Sequence, residues 1–405
     1  MVWCMVRQAL YPDPSCRATL AWLQAARENV GLPFLSRDTS GYCKARQRLP
    51  FELLPRLARR VAQALNNRVK PEQLWFGRRV LAADGSAFSM PDTVCNQARF
   101  HQSSLQKEGC GFPVGGFVAV ICLATGAIVD AFVGDGKMHD LTMFKFVRSC
   151  FLAGDIFLAD RGFSAYTEMA FFLGIEVDSV VRLHQRRVTD FRRGHIIGDG
   201  DHIVKWLRPE SCPKGLSPVD FKQLPPFLLV REIEYQVTAN GFRTRKVILA
   251  TTLLDAKKYP AQALANLYSQ RWEIEVDFRH LKITMQMDVM RGHSPDVVEK
   301  EFWAHILAYN LLRSLMWDAG ERYGESALKL SLKGAIQHLF PYWSPIRRKR
   351  TAIEYGNLLA LISAERLQIR PGRIEPRVRK RRPKNYTLMG KPRNELKKEL
   401  LKENH

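Results

Sequence analysis

The segment LYSQRWEIEVDFRHLK, residues 267–282, sets Tyr268, Arg271, Glu275 and Lys282 at i, i+3, i+7 and i+14. In a continuous helix those offsets fall within an arc of about 60°. Leu267, Ile274, Phe278 and Leu281 form an apolar stripe beside them, so the core face is already supplied and the polar stripe runs along its edge. Alone, such a stripe is a solvated face with a few charge pairs. Asp84 in RVLAADGS and Asp160 in DIFLADRGF add to it, each ending an apolar run just before a glycine-containing turn. A carboxylate at a strand end is held rigidly, and small turn residues leave room for a ligand. Singly, each aspartate reads as a turn or cap residue. Joined by Glu275, they supply three hard oxygen ligands of the kind suited to Mg²⁺ or Mn²⁺, with waters and phosphate oxygens completing the shell. Two such ions about 4 Å apart activate a water and steady a leaving oxygen in phosphodiester hydrolysis or transfer.

The bulk properties agree with an anionic partner. The 405 residues carry a net charge of +22, which points to nucleic acid or an acidic membrane surface. An apolar fraction of 46% excludes wholesale disorder. Residues 112–129, FPVGGFVAVICLATGAIV, are uncharged and long enough for a membrane span, but glycine, proline and Thr125-Gly126 divide them into two strands of a buried hairpin. The first residues lack the apolar core of a secretory signal, so a cytoplasmic protein without membrane contact is expected. Eight cysteines without a C-x-x-C pair read as reduced structural thiols.

Residues 1–72 read as a basic helical domain, with 12 Lys or Arg against 5 Asp or Glu and an apolar face of Leu54, Leu57, Val61 and Leu65. This region suits duplex DNA or, equally, a solvated helical cap. From residue 79 the order is strand, hairpin, a helix over 140–151, strand, a helix near 164–173, and strand. That is a mixed α/β plan around one central sheet. Residues 184–247 break the rhythm and read as a β-rich insertion with a strand pair turned at Asn240-Gly241. Helices follow. Residues 370–393 hold ten Lys or Arg, one Glu and four prolines, the composition of a flexible arm that binds nucleic acid or merely solubilises.

Tyr268, Arg271, Glu275 and Lys282 match the Y-(2)-R-(3)-E-(6)-K motif of the DDE transposases of bacterial insertion sequences, with every spacing correct. LAADGS at Asp84 resembles the first acidic motif of that family and FLADRGFSAY at Asp160 the second. RGHSPDVVEKEFWAHILAYNLLR is similar to the segment that follows the lysine. The resemblance covers roughly residues 40–380. It implies a ribonuclease-H-like catalytic core over 73–183 and 248–345, interrupted by the β-rich insertion at 184–247. A helical N-terminal domain that binds element ends precedes it (1–72), and a basic C-terminal region follows (346–405). It further implies cut-and-paste DNA transposition, in which water cleaves the DNA and the freed 3′-hydroxyl attacks target DNA. Asp84, Asp160 and Glu275 would hold Mg²⁺ or Mn²⁺, two ions in all, and Tyr268, Arg271 and Lys282 would contact the transferred end. Double-stranded DNA, at element ends and target, is the expected partner. A homodimer on paired ends and association with the nucleoid are expected as well.

Among weaker candidates, Asp140 of the His139-Asp140 pair is expected to cap the helix that follows. Glu273 lies about 160° around the helix from Glu275 and is a poor substitute ligand. Trp272 and Trp206 are of a type that stacks on an unpaired base, with buried packing expected for Trp272. Two rival readings are a catalytically silent repressor that occupies element ends and a stand-alone nuclease of the same fold. Intact acidic residues weigh against the first, and the basic amino-terminal region weighs against the second.

Overall fold

The computed structural model describes residues 1–104, 106–213, 216–236, 246–343, 352–367 and 390–403. Helices α1 (Val2–Leu10), α2 (Cys16–Glu28), α3 (Ser40–Arg48) and α4 (Leu53–Asn66) open the chain. In α4 the buried face is Leu54, Ala58, Ala62 and Leu65, with Leu57 and Val61 packed at its margin. There follow β1 (Val80–Ser89), α5 (Val94–Arg99), β2 (Val114–Cys122), β3 (Ile128–Asp135), α6 (Asp140–Phe144), β4 (Ile156–Ala159), α7 (Tyr166–Gly174) and β5 (Asp178–Arg182). Apart from α5, this is the expected order.

The β-rich stretch supplies β6 (His195–Gly198), β7 (Asp201–Leu207), the short helix α8 (Pro218–Gln223) and β8 (Phe227–Gln236), with β9 (Lys246–Thr251) after it. All nine strands join one mixed sheet in the order β3-β2-β1-β4-β5-β9-β8-β7-β6. Strands β1, β4 and β5 run parallel and the others pair antiparallel. The second half of the sheet is therefore tied to the first by the β5–β9 ladder, through pairs such as Val181 with Ala250. The Asn240-Gly241 turn and most of the 370–393 arm lie outside the described residues.

Helices α9 (Ala261–Gln270), α10 (Trp272–Arg279), α11 (Pro295–Tyr323), α12 (Leu332–Tyr342), α13 (Ala352–Ala364) and α14 (Arg393–Glu403) complete the fold. Strand side chains alternate between two faces. Val80, Ala82, Ile156, Leu158 and Val180 enter the larger core with α1, α4 and α9–α13, while Leu81, Ala83, Phe157, Ala159 and Val181 enter a second core under α6 and α7. Helix α11, 29 residues and about 44 Å long, begins at Pro295 and ends before Gly324 at φ +70°. Its fully buried Asn310 donates to the Ala58 and Ile128 carbonyls and accepts from the Ile128 N–H, tying α4 and β3 together.

Two local expectations are corrected. The helix expected over 140–151 stops at Phe144 and gives way to a 3₁₀ turn at Arg148–Cys150. Phe144, Val147 and Phe151 still reach one core, so a helix plus a turn satisfies the same periodicity. Asp140 does not cap α6: His139 is the cap residue, and the Asp140 carboxyl lies over Gly85 where a Cβ would fall. Residues 112–129 form the β2–β3 hairpin as expected, and among the described residues no helix is long and apolar enough to cross a membrane.

Candidate active site

Strand register brings the aspartates together. Ala83 pairs with Ala159 across the parallel β1–β4 ladder, so the next residues, Asp84 and Asp160, are neighbours. Alternation directs both toward the larger core, the face on which α9 and α10 pack. Asp84 is not at a strand end, as the sequence suggested, because β1 continues to Ser89 while paired with β2. The apolar run stops where pairing with β4 stops, the next four residues are less buried, and full burial resumes at Phe88 and Ser89.

The 267–282 segment is not one continuous helix either. Tyr268 closes α9, Arg271 stands at the junction, Glu275 lies in α10, and Lys282 sits in a π-helical turn, His280–Thr284. The polar residues nevertheless converge. The Tyr268 hydroxyl donates to Asp160 Oδ1 at 3.2 Å. Arg271 reaches Glu275 at 3.0 Å and Asp84 at 3.6 Å. Lys282 Nζ donates to Ser86 Oγ at 3.2 Å, two residues beyond Asp84 on the same face. The π turn adds a residue to the helical repeat, and β1 anchors the chain just beyond it through Ser89, whose N–H bonds the Asp288 carbonyl.

Burial pushes the Asp84 carboxyl up to about 6. The Gly85 N–H bond and Arg271 oppose that rise, and Asp160 and Glu275 add to it. Burial and then Asp160 raise the Tyr268 hydroxyl, which stays protonated and can donate. Burial works against the charge of Arg271, but Tyr268, Asp160, Glu275 and Asp84 outweigh it and hold the guanidinium charged. Its buried Nε finds no partner among the described residues.

The donor set suits a hard divalent cation: three carboxylates and no soft ligand. With all three ionised against one guanidinium, a net of two negative charges remains. Among the described residues, however, no three of His, Cys, Asp and Glu lie close enough to hold a metal ion as they stand. Arg271 occupies the space between Asp84 and Glu275 and neutralises them there.

Trp272 is 42% exposed rather than buried. Trp206 is the buried one, donating from Nε1 to Glu232 under the Arg187 guanidinium. Burial and then Asp277 raise the Glu273 carboxyl, with Arg313 opposing. One neighbour of the aspartates went unnoticed in the sequence. Val181 pairs with Ala159, so Arg182 stands beside Asp160 as Asp160 stands beside Asp84. The signal was available: each of the three residues follows an apolar pair that closes a run (Ala82-Ala83, Leu158-Ala159, Val180-Val181).

The family described as "Transposase DDE domain" matches residues 75–311, more than half of the chain. The transposase InsG for insertion sequence element IS4 of Escherichia coli (strain K12) is 27% identical, over 95% of this chain and 86% of that protein. The putative transposase InsL for element IS186A, from the same organism, is 24% identical over 63% and 70% of the two chains. A cryo-EM structure of the piggyBac transposase synaptic complex with hairpin DNA has a TM-score of 0.45 at 11% identity, covering 92% of this chain and 76% of that one.

Proposed function

The chain belongs to the DDE transposases of bacterial insertion sequences, and on that premise we propose that Asp84, Asp160 and Glu275 are its catalytic carboxylates in cut-and-paste transposition. The observation that carries this reading is their convergence on one sheet face with Tyr268, Arg271 and Lys282, residues of β1, the end of β4, α9, α10 and the π turn meeting at one place. The enzymes of this family work with divalent metal ions. We take two Mg²⁺ or Mn²⁺ as the complement of this site, held by the three carboxylates. Bound there, they would lower the pKa of a water and neutralise charge on the leaving oxygen.

The chain's own groups have distinct tasks. Tyr268 fixes the Asp160 carboxylate through its hydroxyl. Gly85 holds the other aspartate through the backbone bond from its N–H to Asp84 Oδ1, 2.8 Å long. Arg271 and Lys282 present cations to the phosphates of the transferred strand, Arg271 exchanging its carboxylate partners for them. The core around the aspartates is read as ribonuclease-H-like, residues 73–183 and 248–345. The stretch 184–247 is taken as its β-rich insertion, the helices of 1–72 as the reader of element ends, and 346–405 as a basic auxiliary region. Pairing of two ends calls for a homodimer on DNA, acting at the nucleoid in the cytoplasm.

The test is nicking of a plasmid carrying the gene with its native flanking DNA, with Mg²⁺ or Mn²⁺. Wild type should cut only at the element's ends. Glu275→Gln should cut roughly a thousandfold more slowly, equivalent to about 4 kcal/mol of barrier, while still binding the ends. End binding without metal-dependent cutting by wild type would make the protein a repressor derived from a transposase.

A further inference from the structure

Across β1, β4 and β5 the register places Asp84, Asp160 and Arg182 in one row, each a single residue past the pairs Ala83–Ala159 and Ala159–Val181. Parallel strands lie about 4.8 Å apart, so the Arg182 backbone stands roughly 5 Å from that of Asp160 and about 10 Å from that of Asp84. Alternation sends all three side chains to the same face, since Val180 below Arg182 enters the larger core. Arg182 also pairs with Leu249 of β9, whose side chain belongs to that core as well. The Arg182 charge is felt at the hydroxyls of Tyr268 and Tyr235 and works against their raised values.

An arginine here needs a reason. It is half-buried at the edge of a carboxylate site, and among the described residues its side chain makes no hydrogen bond or ion pair. The carboxylate beside it in the row, Asp160, accepts from Tyr268 and from the Arg161 N–H, both at Oδ1. A guanidinium kept half-desolvated without a partner is costly unless an anion arrives. Arg271 and Lys282 stand by Asp84, Glu275 and Ser86, and Arg182 stands on the far side of Asp160 from Asp84. A DNA strand laid across the row would meet cations on both sides of the aspartates.

We propose that Arg182 binds a backbone phosphate of the DNA strand being cut, next to the scissile phosphate on the Asp160 side. The inference rests on the reading of Asp84 and Asp160 as catalytic. The guanidinium forms bidentate bonds to that phosphate and fixes the strand's register over the aspartates, so its loss weakens binding and misplaces the cut.

The test uses the full chain and short duplexes from a mapped element end, each with one uncharged methylphosphonate stepped through the phosphates around the cleavage position. Binding is measured without metal, and cutting with Mg²⁺. For Arg182→Ala, binding should fall about tenfold and the salt slope by about one phosphate contact. One methylphosphonate should weaken wild type equally and cost Arg182→Ala nothing further. Arg182→Lys should recover part of the loss, and an unchanged unfolding midpoint for both variants separates this from damage to β5. Losses that multiply at every methylphosphonate position, or wild-type binding by Arg182→Ala, would overturn the assignment. A wild type that does not cut element ends at all would instead sink the catalytic reading, and this inference with it.

Discussion

At the scale of single residues, Asp84 carries a measurable load. Its carboxyl, 24% exposed, rises from the usual range to about 6, mainly through burial. The folded protein thus holds this proton more tightly than the unfolded chain does. Stability from this group is complete below about pH 4 and is lost as pH rises through 6, where the ionised form costs up to about 3 kcal/mol. Asp84→Asn has no such dependence. In metal-free protein the variant should be more stable than wild type by about 1–3 kcal/mol at pH 8 and equal to it at pH 4, by denaturant unfolding. The same sign governs cation binding. Protons compete for Asp84 below about pH 6, so metal affinity should fall on the acid side.

At the scale of elements, the loop joining the π turn to α11 keeps Lys282 in place. The Glu301 carboxylate accepts from the Arg291 and Gly292 N–H groups, and the Gly292 carbonyl accepts from Asn96. A Cβ on Gly292 would press on the Val298 backbone nitrogen at 2.7 Å, a backbone contact that cannot rotate away. Gly292→Ala should therefore cost about 1–3 kcal/mol of stability and move Lys282. The unfolding free energy and the affinity for end DNA should fall together, and a variant with wild-type stability would refute the argument. This loop also marks how far the sequence can be read. The apolar runs before Asp84 and Asp160 and the motif spacing from Tyr268 to Lys282 were legible, because burial and periodicity are written locally. The break at Arg271, the π turn at Lys282 and the extension of β1 to Ser89 were not. The first two depend on contacts between residues nearly two hundred positions apart, such as Arg271 with Asp84 and Lys282 with Ser86, and the third on the β1–β2 ladder. Arg182 follows an apolar pair as the aspartates do, but its place beside Asp160 comes from register, which is a property of pairs of strands.

At the scale of the whole molecule, the amino-terminal helices and the β-rich stretch are continuous with the face that carries the aspartates. Helices α1 and α4 share its core, Asn310 bonds α4 to β3, Lys300 donates to the Gln47 carbonyl, and one sheet runs through all nine strands. On the proposed function, DNA bound at either region would act on the aspartates through packed side chains and paired strands. Asp84 and Asp160 ride on central strands, flanked by neighbours and backed by two cores. Glu275 rides on a short helix with a break before it and a wide turn after it. Stiffness is thus divided unequally: two of the three carboxylates form a fixed seat and the third approaches on a compliant arm. Amide hydrogen exchange should report this division, with β1 and β4 exchanging only on global unfolding and residues 271–284 exchanging sooner. Whatever enters the seat, the glutamate adjusts to it and the aspartates do not.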